Sequence, residues 1–294
     1  MFLLLSKIIR QRCLALALLS VLALSACSAI KLGYGQAPSL LYWWLDSQLD
    51  FSDAQTPKAR ETLDRLQSWH RRSELPAYAD LLSRMASLAE GQVQAEQVCQ
   101  ISDDIQSRLN TLMRESIRQF APLVSQVQSR QIRHLSKQLE DKNSQWEEQW
   151  LQGSAASRLQ RRLDKSVDRY SDFYGSLSST QTALLRRQLE LSSWTPEWGR
   201  QERLRQQRDL LTALMRIEQE KPSVRQIEAV LHGVWERWLV PSSEMDRQRW
   251  QGWLEQGCKN LAELHNSTSP EQRQRAARRL RAYEKDLREL TGRS

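Results

Sequence analysis

The feature that most constrains this chain is the interval at which its apolar residues return. Val98, Ile101, Ile105, Leu109, Leu112 and Phe120 follow at steps of three and four or their sums, as do Leu159, Leu163, Val167, Tyr170 and Phe173. Ala59, Leu63, Leu66 and Trp69 mark another such stripe, and Leu280, Tyr283, Leu287 and Leu290 a last one. That period lines side chains along one face of a helix, whereas a half-buried strand needs strict alternation. No alternating β-branched run is long enough for a strand. The period is interrupted near Pro76, Gly91, Pro122, Gly153, Pro196, Pro222, Pro241 and Pro270, which read as helix ends and starts. The expected fold is all-α, a multi-helix bundle of roughly ten amphipathic helices. Only 10 glycines and 8 prolines occur in 294 residues, which agrees. Residues 39–294 read as one helical domain, with a division near Gly153 as the alternative.

A second pattern marks where helices begin. Phe51-Ser52-Asp53-Ala54-Gln55, Val124-Ser125-Gln126-Val127-Gln128 and Leu177-Ser178-Ser179-Thr180-Gln181 each place an apolar residue before a serine and a glutamine three residues after it. Ser223 to Gln226 and Ser269 to Gln272 repeat the polar pair without the apolar lead. A serine there accepts from an orphan amide of the first turn and the glutamine reaches back, so five helix beginnings explain the pattern. It is also similar to the Leu-Thr-x-x-Gln signature of small all-helical periplasmic chaperones of the envelope-stress type, with serine for threonine. The irregular spacing of the copies speaks against a simple solenoid.

Residues 1–26 have the layout of a cleaved secretory signal. Lys7, Arg10 and Arg12 precede an apolar run from Leu14 to Leu24 relieved only by Ser20. The run falls short of the roughly 20 residues that span a bilayer. Leu24-Ser25-Ala26-Cys27 then matches the bacterial lipobox, in which the cysteine is lipidated and becomes the first mature residue. Acyl chains on Cys27 anchor such a chain without spanning the membrane. Ser28 stands where an aspartate favours inner-membrane retention, so the expected place is the outer membrane, facing the periplasm. Residues 27–38 are expected to form the lipidated tether.

Export narrows the function classes. Removing the signal takes three cations from a formal net charge of +8, and nucleic-acid binding is not expected of what remains. Cys99 and Cys258 are left either as a disulfide, which an oxidising compartment favours, or as two buried thiols. Ten of the 11 tryptophans come in close pairs: Trp43/Trp44, Trp146/Trp150, Trp194/Trp198, Trp235/Trp238 and Trp250/Trp253. Spacings of three and four put both rings on one helix face, where they fill gaps between helices, or line an apolar groove or stack on sugars. Trp43 and Trp44, close to the tether, also suit a membrane interface.

Signals for chemistry are thin. His70, His134, His232 and His265 stand far apart, and there is no His-Glu-x-x-His, Cys-x-x-Cys or Gly-x-Ser-x-Gly. Glu74 and Asp46 are the carboxylates to weigh as acid and base on a glycan, with nothing to set them apart from the others. No catalytic residue, metal or cofactor is expected.

From Cys27 onward the chain resembles an uncharacterised family of Gram-negative lipoproteins, the domain of unknown function DUF6279. The resemblance rests on Leu32-Gly33-Tyr34, Tyr42-Trp43-Trp44-Leu45-Asp46, Trp69-His70-Arg71 leading to Glu74-Leu75-Pro76, Cys258, and Leu264-His265-Asn266-Ser267-Thr268 running into Ser269-Pro270-Glu271-Gln272 and Arg281-Ala282-Tyr283-Glu284. It implies an envelope lipoprotein and supplies no activity. Trp43, Trp44, Trp69, His70 and His265 are the candidate binding residues. The expected function is non-enzymatic: binding of envelope protein clients as a chaperone or assembly factor. The rivals are a peptidoglycan- or lipid-headgroup-binding module and, third, a glycan-cleaving enzyme.

Overall fold

The computed structural model describes residues 30–241 and 243–292. The expected signal and the lipobox cysteine, Cys27, lie outside the described residues. After a helical stretch over 30–35, ten helices follow: α1 (Ala37–Leu49), α2 (Thr56–Leu88), α3 (Ala95–Val124), α4 (Ser129–Trp150), α5 (Ala155–Tyr174), α6 (Ser179–Glu190), α7 (Pro196–Glu220), α8 (Val224–Leu239), α9 (Glu244–Asn266) and α10 (Pro270–Thr291). No strand occurs among the described residues, and none of their helices is long and apolar enough to cross a membrane.

Two long helices organise the rest. α2 has 33 residues and α3 has 30, so each is about 45–50 Å long at 1.5 Å per residue. Four small cores lie along them. At one end Tyr42, Ala59, Leu63 and Leu123 join α1, α2 and α3, and Ile132, Leu135, Leu214, Ile217 and Ile227 join α4, α7 and α8 to the end of α3. At the other end α10 lies along α2 through Ala86, Ala276, Ala277 and Leu280, and Leu163, Leu185 and Leu264 join α5, α6 and α9. Small residues between α2 and α10 allow the close approach that makes theirs the most extensive helix contact.

Two sequence expectations need correction. α2 runs straight through Pro76, where a break was expected. Proline forfeits a backbone hydrogen bond and crowds the preceding turn at a cost of about 3 kcal/mol, but Leu75 and Ala79 on either side are fully buried and hold the helix across it. Pro122 likewise sits inside the last turn of α3. The residues assigned to the tether also differ. Lys31 pairs with Asp286 and Glu289 of α10, and Tyr34 reaches His70 of α2 at 3.0 Å, so the chain from residue 30 onward is docked on the body.

The serine and glutamine pattern has a structural consequence beyond capping. Gln55 Oε1 accepts from the Ser52 amide at 3.0 Å, Gln181 Oε1 from the Ser178 amide at 2.9 Å, and Gln272 Oε1 from the Ser269 amide at 3.0 Å. Ser223 and Gln226 form the same local box at 2.9 Å. In the remaining copy the register is displaced. Ser125 ends α3, and the working pair is Gln128 with Gln131, whose Oε1 accepts from the Gln128 amide at 3.1 Å. A glutamine at the cap position carries no serine signal, which is why the sequence misplaced it.

Four of these glutamines then clasp in pairs. Gln55 and Gln131 exchange amide hydrogen bonds of 3.2 and 2.9 Å, and Gln181 and Gln272 exchange bonds of 2.8 and 3.2 Å. Each amide also donates to the carbonyl two residues ahead of its partner's cap: Gln55 to Gln126, Gln131 to Asp50, Gln181 to Ser267 and Gln272 to Ser176. The same two-fold motif is therefore built twice, joining the starts of α2 and α4 and of α6 and α10. A disulfide between Cys99 and Cys258, 159 residues apart in sequence, ties α3 to α9 with S–S 2.11 Å. On a chain-entropy account such a loop stabilises by about 5 kcal/mol.

Gln131 is the most deeply buried of these side chains, at 1% exposed, and bonds the Gln128 amide, the Leu49 and Asp50 carbonyls and Gln55. Gln131→Leu is expected to lower the unfolding free energy by about 2 kcal/mol in urea titration, because it strands buried partners on three segments. Adding Gln55→Leu is expected to cost less than the sum of the single changes. Strict additivity would show that the two amides do not act as a unit.

Candidate functional site: an apolar chamber

The first sub-bundle does not close on itself. Between α1, α3, α4, α7 and α8 lies a chamber of about 650 Å³, and a neighbouring one of about 520 Å³ lies between α1, α2 and α3. Trp44 and Leu45 of α1 and Met113, Ser116 and Phe120 of α3 line both. The larger chamber is walled almost wholly by apolar atoms. Its few polar groups, apart from Ser116 and the glutamines of the clasp, are Gln48, Lys142, Arg203, Gln206 and Gln207.

Those polar groups are not scattered. α4 and α7 run antiparallel, as bonds from Arg203 and Gln207 to Asn143 and from Arg200 to Glu147 show. Along α4 the chamber is lined by Leu135, Leu139 and then Lys142; along α7 it is lined by Leu214, Leu210 and then Gln207 and Arg203. The wall therefore changes from apolar to cationic in the same direction on both helices. Lys142 Nζ donates to Gln48 Oε1 at 2.6 Å and lies 5.6 Å from the Trp44 ring centroid. Arg203 Nε donates to Asn143 Oδ1 at 2.6 Å.

The candidate residues from sequence separate into different roles. Trp44 is a chamber wall although 56% exposed, and Trp43 beside it is 65% exposed and points away from the core. With Leu40 and Leu41 they give α1 an uncovered apolar outer face. His70 lines the smaller chamber, between Tyr34 and Tyr78, and burial lowers its pKa. Trp69 is half-buried and lines neither chamber. Several of the other tryptophans bridge helices: Trp198 of α7 packs on Trp250, which packs on Trp253 of α9, while Trp235 and Trp238 donate to Asn110 and the Gln206 carbonyl. Glu74 is buried near Arg108, Asp46 accepts from the Phe51 amide, and neither lines a chamber. Among the described residues no three His, Cys, Asp or Glu are grouped to hold a metal ion.

His265 belongs to the other end of the molecule and to its stability. Its Nε2 lies 2.8 Å from the Gly91 carbonyl and its Nδ1 2.9 Å from the Tyr174 hydroxyl. A carbonyl only accepts, so Nε2 carries the proton and Nδ1 accepts from tyrosine, which uses both nitrogens of a neutral ring. Burial lowers the His265 pKa, against the bond to Gly91, and burial also pushes Tyr174 up to about 12. Asn266 next to it bonds both backbone groups of Val93, so this pair seals the α2–α3 loop against α9. A histidine held below its ordinary 6.5 contributes stability that is complete above that pH and lost as pH falls through the lowered value. His265→Gln is therefore expected to be less stable near neutrality but to lose less than the native chain between about pH 7 and about pH 5, as read by denaturant titration at each pH. Parallel losses would remove the histidine from the acid response.

The chamber draws its walls from residues 44 to 238, and comparison with known proteins falls on nearly that span. Residues 47–242 match the family of unknown function DUF6279. The match is narrower than the resemblance drawn from Cys27 onward, leaving α9, α10 and most of α1, with Trp44 and Leu45, outside it. No curated protein and no solved structure matches the chain. With two thirds of its length matched, and with four of the five chamber-walling helices, α3, α4, α7 and α8, inside that match, the chain belongs to the DUF6279 family of unknown function.

Proposed function

We propose that this chain is a non-enzymatic binding protein of the Gram-negative envelope, held by lipid on Cys27 at the outer membrane and facing the periplasm, that takes apolar groups into the chamber beneath α1. The observation that carries the reading is the chamber itself. Protein interiors are close-packed, whereas this apolar chamber of about 650 Å³ opens to solvent and holds water against walls that offer it few partners, so an apolar guest that displaces that water is favoured. Its size lies within the range of ligand pockets, about 300–1,000 Å³.

The walls also select among guests. A polypeptide segment brings an amide and a carbonyl per residue, and each needs a partner once buried. A glycan brings hydroxyls with the same demand. The inner wall has almost nothing to offer either, whereas hydrocarbon asks for nothing. The chamber is therefore suited to alkyl or aromatic groups.

Nile red, neutral and apolar, is expected to brighten on binding the protein, and Leu139→Trp with Leu210→Trp, which fill the chamber from facing helices, to abolish that signal while leaving cooperative unfolding intact. Nile red bound equally well by the filled variant would sink the reading.

The uncovered face of α1 supports a second reading, docking of a partner envelope protein in an assembly or chaperone role. Leu40 is 60% and Trp43 65% exposed, and both lie within 16 residues of Cys27. A photo-crosslinking residue at position 43 in cells is expected to capture one discrete protein if α1 docks an assembly partner, and many unfolded proteins if it serves as a chaperone surface. Crosslinks to lipid alone would leave α1 as a membrane-facing helix.

A further inference from the structure

We propose that the guest of the larger chamber is an amphiphile with one alkyl chain and an anionic head, the head read by Lys142 and Arg203. The inference rests on the reading of the chamber as a binding site and adds the charge of its ligand.

Three observations support it. First, the two cations sit at one end of the chamber while Leu135, Leu139, Leu210 and Leu214 line the remainder of the same two helices. From Gln131 to Lys142 the α4 wall extends for about 16 Å, long enough for an extended alkyl chain to leave its head at the cationic end. Second, neither cation is in an ion pair among the described residues: Lys142 bonds the neutral Gln48, and Arg203 the neutral Asn143. Arg200, one turn earlier on α7 and outside the chamber lining, pairs with Glu147 at 2.6 Å. A lysine and an arginine without carboxylates, held at one end of an apolar chamber, leave charge there for a ligand to complete. Third, the partners they do have fix them in place. Arg203 spends only its Nε on Asn143, so the two terminal nitrogens that fork onto a carboxylate or phosphate take no bond to protein. Gln207 holds Asn143 from its other side with bonds of 2.7 and 2.9 Å, which orients the group that orients the arginine.

The chemistry required of the ligand is thus one hydrocarbon chain and one negative group. Fatty carboxylates and single-chain phospholipids both carry it, and the test separates them. Full-length protein in phosphatidylcholine vesicles is exposed to three photoreactive probes with a diazirine at the chain end: a dodecanoic acid, the dodecanol of equal length, and a lysophosphatidylglycerol. Labelled peptides are then mapped by mass spectrometry. Labelling of the chamber residues of α3, α4 and α7 by at least one anionic probe is expected to exceed that by the alcohol about tenfold. Lys142→Gln with Arg203→Gln is expected to bring the ratio near one. Lys137→Gln with Arg208→Gln, an equal loss of charge at exposed positions on the same helices, is expected to leave it unchanged. Whichever anion labels more strongly identifies the head group as carboxylate or phosphodiester. Chamber labelling that is equal for acid, phospholipid and alcohol would overturn the anionic ligand and leave the chamber a general apolar site. If no probe labels the chamber, both this inference and the binding reading fail. A thermal unfolding curve unchanged in the Lys142/Arg203 variant shows that its loss is not a loss of fold.

Discussion

The reciprocal amide pair is the interaction on which the architecture depends. A helix bundle with four small cores has no single apolar mass to fix how its helices start relative to one another. Glutamine three residues after the residue whose amide it accepts from solves this locally and at long range together. Its oxygen caps its own helix, its nitrogen holds the carbonyl ahead of a distant helix, and the remaining valences close on a second glutamine. Glutamate would cap a helix equally well, but two carboxylates face to face would repel and could not donate. The choice of amide over acid at Gln55, Gln131, Gln181 and Gln272 follows from that, and so does the burial of three of them below 5%. Buried polar groups of this kind specify one arrangement because any other leaves them unsatisfied.

Much of the fold was legible because it is local. The three-and-four period placed the helices, and the serine and glutamine pairs placed four of the five starts they were read for. What the pattern could not show is that the glutamines meet, since Gln181 and Gln272 are brought together by tertiary packing alone. Ser125 was misread because a cap can be glutamine, and Pro76 because the penalty of proline is outweighed by packing that only the folded chain supplies. The chamber was hidden for the same reason as the clasps. Its walls come from five helices, and each wall residue alone looks like an ordinary apolar position. Trp44 carried a signal through its pairing with Trp43, whereas Lys142 and Arg203 carried none, being two cations among many.

Apolar walls left facing water in an open chamber forgo the stabilisation that closing them together would bring, about 25 cal/mol per Å². The clasp beside it bears on why it persists. Gln55 and Gln131 line the chamber at the same time as they fix the starts of α2 and α4, and Gln131 also holds the Leu49 and Asp50 carbonyls at the end of α1, so two of the walling helices, α1 and α4, are pinned there by hydrogen bonds. Collapse would trade satisfied amides for stranded ones, and each stranded amide costs about 1–3 kcal/mol. The same side chains that specify the bundle thereby keep its chamber open.

The wall given by α1 is held largely by polar contacts, from Gln131, His134 and Lys142 of α4. Tyr42 is its only buried apolar anchor, and Leu40, Leu41, Trp43 and Trp44 are exposed on it. It follows directly on the helical stretch over 30–35, which is clamped to α10 by Lys31 and to α2 by Tyr34, His70 and Gln67. Those clamps fix where α1 begins, and with it Trp44 and Leu45, which line both chambers. If the chain is held at Cys27 as proposed, α1 starts ten residues from the lipid, and the helix that covers the apolar space lies within reach of the membrane. On this arrangement a hydrocarbon guest need not cross the aqueous compartment to reach the chamber, since the face of α1 offers apolar surface along the way.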